Sequence, residues 1–109
     1  MDVEKLYAAL KKSQEAKGIY FNKDKELVFE LLEALILNKD RYGYMACPCR
    51  LACGDREHDK DIVCPCVYRA PDLEEFGACF CGLYISTALH NNEIDSQYVP
   101  ERRPPEKIF

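Results

Sequence analysis

The sequence lacks three features that would each point to a particular class of protein. No apolar run approaches the roughly 20 residues that a membrane-spanning helix needs. Positive charge is not in excess, because 15 lysines and arginines face 19 aspartates and glutamates. Nucleic-acid binding needs a concentrated basic face, which this balance argues against. We therefore predict a soluble cytoplasmic protein that binds neither a membrane nor a nucleic acid.

The third missing feature is the Cys-x-x-Cys pair, although seven of the 109 residues are cysteines. Structural zinc modules mostly use Cys-x-x-Cys knuckles, and bacterial ferredoxins repeat the same spacing. A secreted disulfide framework is also disfavoured, because disulfides are uncommon in the cytosol and the cysteine count is odd. The clustered cysteines therefore indicate metal binding or catalysis.

Two amphipathic patterns near the start of the chain predict helices. In the first, apolar residues recur every three or four positions behind Asp2, a residue suited to the N-cap, and the pattern ends near Gly18. A richer pattern of the same period predicts a second helix over about residues 24 to 38. Beyond it, Cys, Pro, Gly and charged residues interrupt every run. We therefore predict a mainly α-helical fold of short helices and loops, in one small domain, residues 1–109.

Three later segments carry weaker signals of local structure. Pro71, followed by acidic residues, is typical of the first turn of a helix, and this short helix is predicted to end at Gly77. Residues 82–93 are ambiguous between a strand and a helix. The tail from residue 99 contains three prolines and is predicted to be extended.

Three Cys-x-Cys units dominate the second half of the chain. They are CPC at residues 47–49, a second CPC at 64–66 and CFC at 79–81. Residues two apart in an extended segment point to the same side, and proline fixes the middle φ in both CPC units. Each unit therefore presents two neighbouring thiols. A disulfide within one unit would close a strained small ring, so partners are expected between units.

The number of ligands that a metal centre needs limits the kinds of site that these cysteines can form. A tetrahedral zinc or a [4Fe–4S] cluster takes four cysteines, and the three units supply six. The two remaining thiols would lie within a few ångströms of the metal, where thiol chemistry and electron transfer could be coupled. Two alternatives remain open. One is an electron-transfer iron–sulfur protein without disulfide chemistry, and the other is a structural zinc module with free thiols.

The stretches YGYMACPCR, IVCPCVYR and GACFCGLY carry a specific resemblance. In this order, after two helices, they resemble the three cysteine motifs of the catalytic chain of ferredoxin:thioredoxin reductase, and the resemblance extends to the tail VPERRP. It implies a small domain wrapped around a [4Fe–4S] cluster. It also implies an enzyme that passes electrons from ferredoxin to the disulfide of thioredoxin or a thioredoxin-like protein. The best-known members of the family pair this chain with a small variable subunit.

The resemblance also implies roles for six of the cysteines. The residues that match the family's cluster ligands are Cys47, Cys64, Cys66 and Cys79. The family's redox-active disulfide falls on Cys49 and Cys81. In the family's mechanism, the cysteine matching Cys49 attacks the disulfide of thioredoxin, and the one matching Cys81 interacts with the cluster.

One departure from the family pattern and two neighbouring residues raise further expectations. The family as best known has a histidine inside the third motif, where this chain has Phe80. His58, between the first two motifs, is the candidate proton donor in its place; the alternative is a surface histidine. Arg50 is expected either to stabilise a Cys49 thiolate or to be exposed without a specific contact. Cys53 is expected to be a buried apolar cysteine or a resolving or regulatory thiol.

Overall fold

Helices account for about half of the residues that the computed structural model describes, which are 2–50, 52–64 and 66–108, with the backbone alone for 107 and 108. A two-stranded sheet completes the regular structure of this described part. The predicted mainly α-helical fold is therefore confirmed in part, with a small sheet in addition. The radius of gyration is 13.6 Å, which is the value expected when roughly 100 residues pack into one domain.

The first helix begins at the predicted residue. Helix α1 spans Val3–Glu15, and the side chain of Asp2 accepts a hydrogen bond from the Glu4 N–H at 2.9 Å. This bond satisfies one of the backbone donors that a helix start leaves unpaired, so the predicted N-cap is confirmed. The chain then turns at Gly18, where φ is 77°, into strand β1, Ile19–Phe21.

The second helix is longer than the sequence pattern predicted. Helix α2 spans Lys25–Tyr42, with Asp24 as its N-cap, and ends at Gly43 in the left-handed conformation. The predicted end near residue 38 is therefore wrong. The side chain of Asn38 donates to the Ala46 carbonyl at 2.8 Å, so this polar residue ties the helix to the following loop and does not end it.

The main core lies between α1, α2 and the sheet. Strand β2, Tyr84–Ser86, pairs antiparallel with β1, and Tyr20 faces Ile85 in the register. The ambiguous segment 82–93 therefore contains both a strand and a short helix, α5, Thr87–His90. The buried residues of this core are Leu6, Val28, Leu31, Leu32, Leu35, Cys79, Leu83 and Tyr84. Each buried leucine contributes about 1.5–3 kcal/mol. Cys79, the first cysteine of the third motif, belongs to the same buried core as leucines of α2.

The remaining elements are short and lie around the cysteine motifs. Helix α3, Arg56–Asp59, continues into a 3-10 turn, Lys60–Ile62. Helix α4, Arg69–Phe76, starts slightly before the predicted Pro71 and ends at Gly77, as predicted. The tail is only partly extended, because helix α6 forms at Pro105–Ile108. Among the described residues, no helix is both long enough and apolar enough to cross a membrane.

Candidate metal and redox site

The three Cys-x-Cys units meet at one cavity. The four cysteines that match the family's cluster ligands all line it, although they come from three separate segments. The full set of lining residues is Cys47, Arg50, Cys64, Cys66, Arg69, Cys79, Phe80, Cys81 and Tyr84. Thiols and aromatic rings therefore form most of the cavity wall, and the guanidinium groups of Arg50 and Arg69 are its charged groups.

A short antiparallel bridge holds the two CPC units side by side. The Cys47 N–H donates to the Ile62 carbonyl at 2.8 Å, and the Cys64 N–H donates to the Met45 carbonyl, also at 2.8 Å. Backbone pairing therefore fixes the first cysteine of each unit relative to the other. The first CPC unit itself is a turn, because the Arg50 N–H donates to the Cys47 carbonyl at 3.2 Å. The expectation of an extended conformation in this unit is therefore wrong.

The CFC unit is a tight turn at the start of β2. The Cys79 N–H donates to the Tyr84 carbonyl at 3.0 Å, and the Tyr84 N–H donates to the Cys79 Sγ at 3.3 Å. Gly82, with φ of 80°, closes the turn. The Cys79 and Cys81 sulfurs lie 3.7 Å apart. The sheet therefore delivers both thiols of the third unit to the cavity.

Cys81 is the central thiol of the site, because it contacts the sulfurs of Cys47, Cys49 and Cys79. A hydrogen bond from Cys49, and a smaller contribution from a hydrogen bond from Cys81, lower the pKa of Cys47 to about 3. The same bond to Cys47 raises the pKa of Cys49 to about 11. Burial raises the pKa of the Cys64 thiol. A thiolate is the metal-binding form of cysteine, and this arrangement favours it at Cys47.

The two thiols predicted to form the redox pair differ in exposure. Cys49 is exposed and Cys81 is half-buried, while Cys47 and Cys79 are each only 4% exposed. Thiol–disulfide exchange requires access of the attacking sulfur to a substrate disulfide. Among the six thiols of the Cys-x-Cys units, Cys49 has this access.

Arg50 follows neither of the two expectations raised by the sequence. Its side chain is buried, and Nη1 lies 3.3 Å from the Cys66 Sγ and 4.0 Å from the Cys47 Sγ. Glu101 accepts hydrogen bonds from Nε at 2.9 Å and from Nη2 at 2.8 Å. The guanidinium is therefore directed at sulfurs of two predicted cluster ligands. Sequence reasoning missed Glu101, for which the signal was an acid directly before two arginines in the tail.

The tail binds acidic side chains of the cysteine region. Arg102 donates to the buried Asp72 at 2.8 Å and also contacts Glu75. Arg103 is only 3% exposed and donates to Asp61 at 3.0 Å. These contacts fasten the end of the chain to α4 and to the turn before the second CPC unit.

His58 lies in a separate group with Cys53 and Asp59, whose possible ligand atoms are within 4.8 Å of one another. Asp59 is fully buried, and its carboxylate accepts hydrogen bonds from the Tyr44 hydroxyl and from the Cys53 and Gly54 N–H groups. This carboxylate therefore organises the loop. Cys53 is exposed, so the expectation of a buried apolar cysteine is wrong. A proton-donor role for His58 stays a prediction.

The fold and the site together define a class: a small protein, about half helical, in which six cysteines converge on one thiol-rich centre. A family model, described as ferredoxin thioredoxin reductase catalytic beta chain, matches residues 1–102. The chain therefore belongs to this family, and the resemblance carried by the three motifs is confirmed. The family is the catalytic chain of an oxidoreductase and is known as iron–sulfur binding. A search among curated proteins found no match.

Proposed function

We propose that the protein is a disulfide reductase that takes electrons from ferredoxin and reduces the disulfide of thioredoxin or a thioredoxin-like protein. The observation that carries the proposal is the convergence of the three Cys-x-Cys units. Five cysteines line one cavity, and one of them, Cys81, contacts the exposed Cys49. Thiols suited to holding a metal cluster and thiols suited to disulfide exchange are thus neighbours.

The residues of the cavity fit a [4Fe–4S] cluster, which takes four cysteine ligands. In this proposal the ligands are Cys47, Cys64, Cys66 and Cys79. The low pKa of Cys47 supports it, because the thiolate binds the metal. The Tyr84 hydroxyl also supports it, since it is buried at the cavity without a hydrogen-bond partner among the described residues. A cluster sulfur is the kind of acceptor that this hydroxyl lacks.

The reaction needs an exposed nucleophile and a second thiol within reach of it. When bound, the cluster supplies electrons one at a time next to a disulfide that needs two. The Cys49 thiolate attacks one sulfur of the substrate disulfide, and the other substrate sulfur leaves as a thiolate and takes up a proton. Cys81 then attacks the Cys49 sulfur and closes the Cys49–Cys81 disulfide, while the Cys81 proton passes to the second substrate sulfur, which leaves as a thiol. Two electrons from ferredoxin, together with one proton for Cys81, reopen this disulfide.

The environment of Cys49 suits this role once Cys47 binds metal. The Cys49 proton is held by its hydrogen bond to the Cys47 sulfur, which is what raises the pKa of Cys49. Coordination of Cys47 would draw electron density from that sulfur and weaken the bond. The release of the Cys49 proton then becomes easier, and the thiolate is the form that attacks.

The potentials of the proposed partners favour this direction. Plant-type ferredoxins lie near roughly −400 mV, and thioredoxin lies near about −270 mV. The difference is worth ~6 kcal/mol for two electrons. Electrons are therefore expected to move from ferredoxin to the substrate disulfide.

A small variable subunit is a further proposed partner, by analogy with the family's best-known members.

The proposal is tested with protein purified without oxygen. We expect a brown protein with about four irons per chain, and thioredoxin reduction that depends on reduced ferredoxin. Cys64→Ser should lose iron, because it removes one predicted ligand, while Cys53→Ser should keep it as a matched control. A colourless zinc protein would instead identify a structural zinc module. A brown protein that reduces no disulfide would identify an electron-transfer protein.

A further inference from the structure

Arg50 places a permanent positive charge next to two of the predicted cluster ligands. Its Nη1 lies 3.3 Å from the Cys66 Sγ and 4.0 Å from the Cys47 Sγ. The guanidinium side chain is only 2% exposed. Arginine stays protonated in proteins, so burial leaves a charge here that water screens poorly. Nothing in this contact involves Cys49, the proposed nucleophile.

The surroundings of Arg50 keep its guanidinium in one orientation. The Glu101 carboxylate accepts hydrogen bonds from Nε at 2.9 Å and from Nη2 at 2.8 Å. This is the fork geometry of a strong arginine–carboxylate pair. The rings of Phe80 and Tyr68 lie 4.7 Å and 5.0 Å from the guanidinium carbon. Because Nε and Nη2 are engaged by Glu101, Nη1 is the group that faces the sulfurs. Phe80, the middle residue of the third motif, therefore covers the Arg50 guanidinium.

A purely structural role does not account for this orientation. Neighbouring tail residues already fasten the tail, since Arg102 binds Asp72 and Arg103 binds Asp61. Anchoring the tail therefore does not require a guanidinium directed at two sulfurs. Hydrogen bonds to sulfur and nearby charge are two of the means by which a protein sets the potential of an iron–sulfur cluster.

We propose that Arg50 raises the reduction potential of the [4Fe–4S] cluster. In this proposal Glu101 is a positioning residue, which holds the Arg50 guanidinium in place and offsets part of its positive charge. The inference rests on the proposed function, because it concerns the cluster of that same site. Reduction adds a negative charge to the cluster, and a cation beside Cys66 and Cys47 stabilises the reduced form. Electron uptake from a ferredoxin is thereby favoured.

The test measures the midpoint potential of the cluster by spectroelectrochemistry, without oxygen, in four proteins. Relative to the wild type, Arg50→Gln should lower the potential by at least a tenfold change in the one-electron equilibrium constant, which is about 59 mV. Glu101→Gln should raise it, because glutamine keeps an amide oxygen for Arg50 and removes the negative charge. Arg56→Gln removes the same charge from an exposed position in α3 and should leave the potential unchanged.

The midpoint potentials of Arg50→Gln and Glu101→Gln are expected to shift in opposite directions, which distinguishes this role from structural damage. Damage to the fold would move Arg50→Gln and Glu101→Gln in the same direction, and that result overturns the inference. An Arg50→Gln potential equal to that of the wild type also overturns it. If Arg50→Gln retains no iron, Glu101→Gln decides: an increase in potential supports the inference, and no change or a decrease overturns it.

The proposed function and this inference fail in different ways. If the wild-type protein holds no cluster, both are wrong. If it holds a cluster and reduces thioredoxin, but Arg50→Gln leaves the potential unchanged, the inference alone is wrong. If the potentials shift as expected but no disulfide is reduced, the inference stands and the reductase function does not.

Discussion

At the scale of single residues, Cys49 and Cys53 are both exposed but have different neighbours. Cys49 contacts Cys47 and Cys81 at the edge of the thiol-rich cavity. Cys53 lies 3.5 Å from a carboxylate oxygen of Asp59, in a loop held by that buried side chain. Exposure alone does not distinguish a catalytic thiol from another surface thiol. The sulfurs around it make the difference.

Replacing Cys49 with serine should abolish disulfide reduction while leaving the iron content unchanged. The substitution removes the proposed attacking sulfur but none of the four predicted ligands. We expect at least about a 100-fold loss of ferredoxin-dependent thioredoxin reduction, as is typical when a nucleophile is removed. Iron analysis and an anaerobic thioredoxin assay check both parts. Cys53→Ser is the control, and normal activity of Cys49→Ser would show that the attacking sulfur is another one.

At the scale of elements, helix α2 has an inner and an outer face. Leu32 is fully buried in the core that also contains Cys79, whereas Leu37, on the same helix, is 52% exposed. The inner face thus supports the turn that carries the third cysteine motif. The outer face has no comparable part in the packing of the described residues.

Leu32→Ala should destabilise the protein by about 2–5 kcal/mol, because it removes buried methyl groups and leaves a cavity. Leu37→Ala should change stability by no more than about 0.5 kcal/mol, since the side chain is largely in water. Urea unfolding of the two variants, prepared with the same iron content, measures the difference. Similar losses for both would mean that α2 does not support the core as described.

At the scale of the whole molecule, the tail closes the structure over the cysteine region. Residues 101–103 contact three separate segments, through Arg50, Asp72 and Asp61. Burial opposes ionisation of Asp61, but hydrogen bonds from Tyr68 and Arg103 outweigh it and lower the pKa of the carboxyl. The ion pair with Arg103 is therefore intact at neutral pH.

Arg103→Ala should cost about 3–5 kcal/mol of unfolding free energy, because it leaves the buried Asp61 carboxylate without its ion partner. Arg56→Ala, at an exposed position, should change stability by less than about 0.5 kcal/mol. Chemical denaturation compares the two arginines directly. A small effect of Arg103→Ala would indicate that the tail contributes little to stability.

The same ion pair predicts a loss of stability in acid. The pKa of Asp61 is lower in the folded protein than in the unfolded chain, where it is about 4. Its contribution is therefore complete above about pH 4 and is lost as the pH falls through the folded value. Unfolding midpoints measured from about pH 6 to about pH 3 should fall more steeply in the wild type than in Asp61→Asn. Parallel curves would contradict this assignment.

Local features of the fold were predictable where neighbours in the chain decide them. The N-caps Asp2 and Asp24 act on backbone groups two or three residues away, and Gly77 ends α4 in a left-handed turn. The end of α2 was not predictable from periodicity, because Asn38 bonds to a loop carbonyl eight residues further on. The strand in residues 82–93 depends on pairing with β1, which lies far away in the sequence.

The sequence by itself determined the set of thiols, their Cys-x-Cys spacing and the family, because these properties are written in residue identity and order. Only the tertiary structure decided that Arg50 faces Cys66 and is held by Glu101, 51 residues away in the chain. It also decided that Cys53 is exposed while Arg103 is buried. The physical reason is that packing between distant segments, and not local preference, sets which charges lose water and which sulfurs meet.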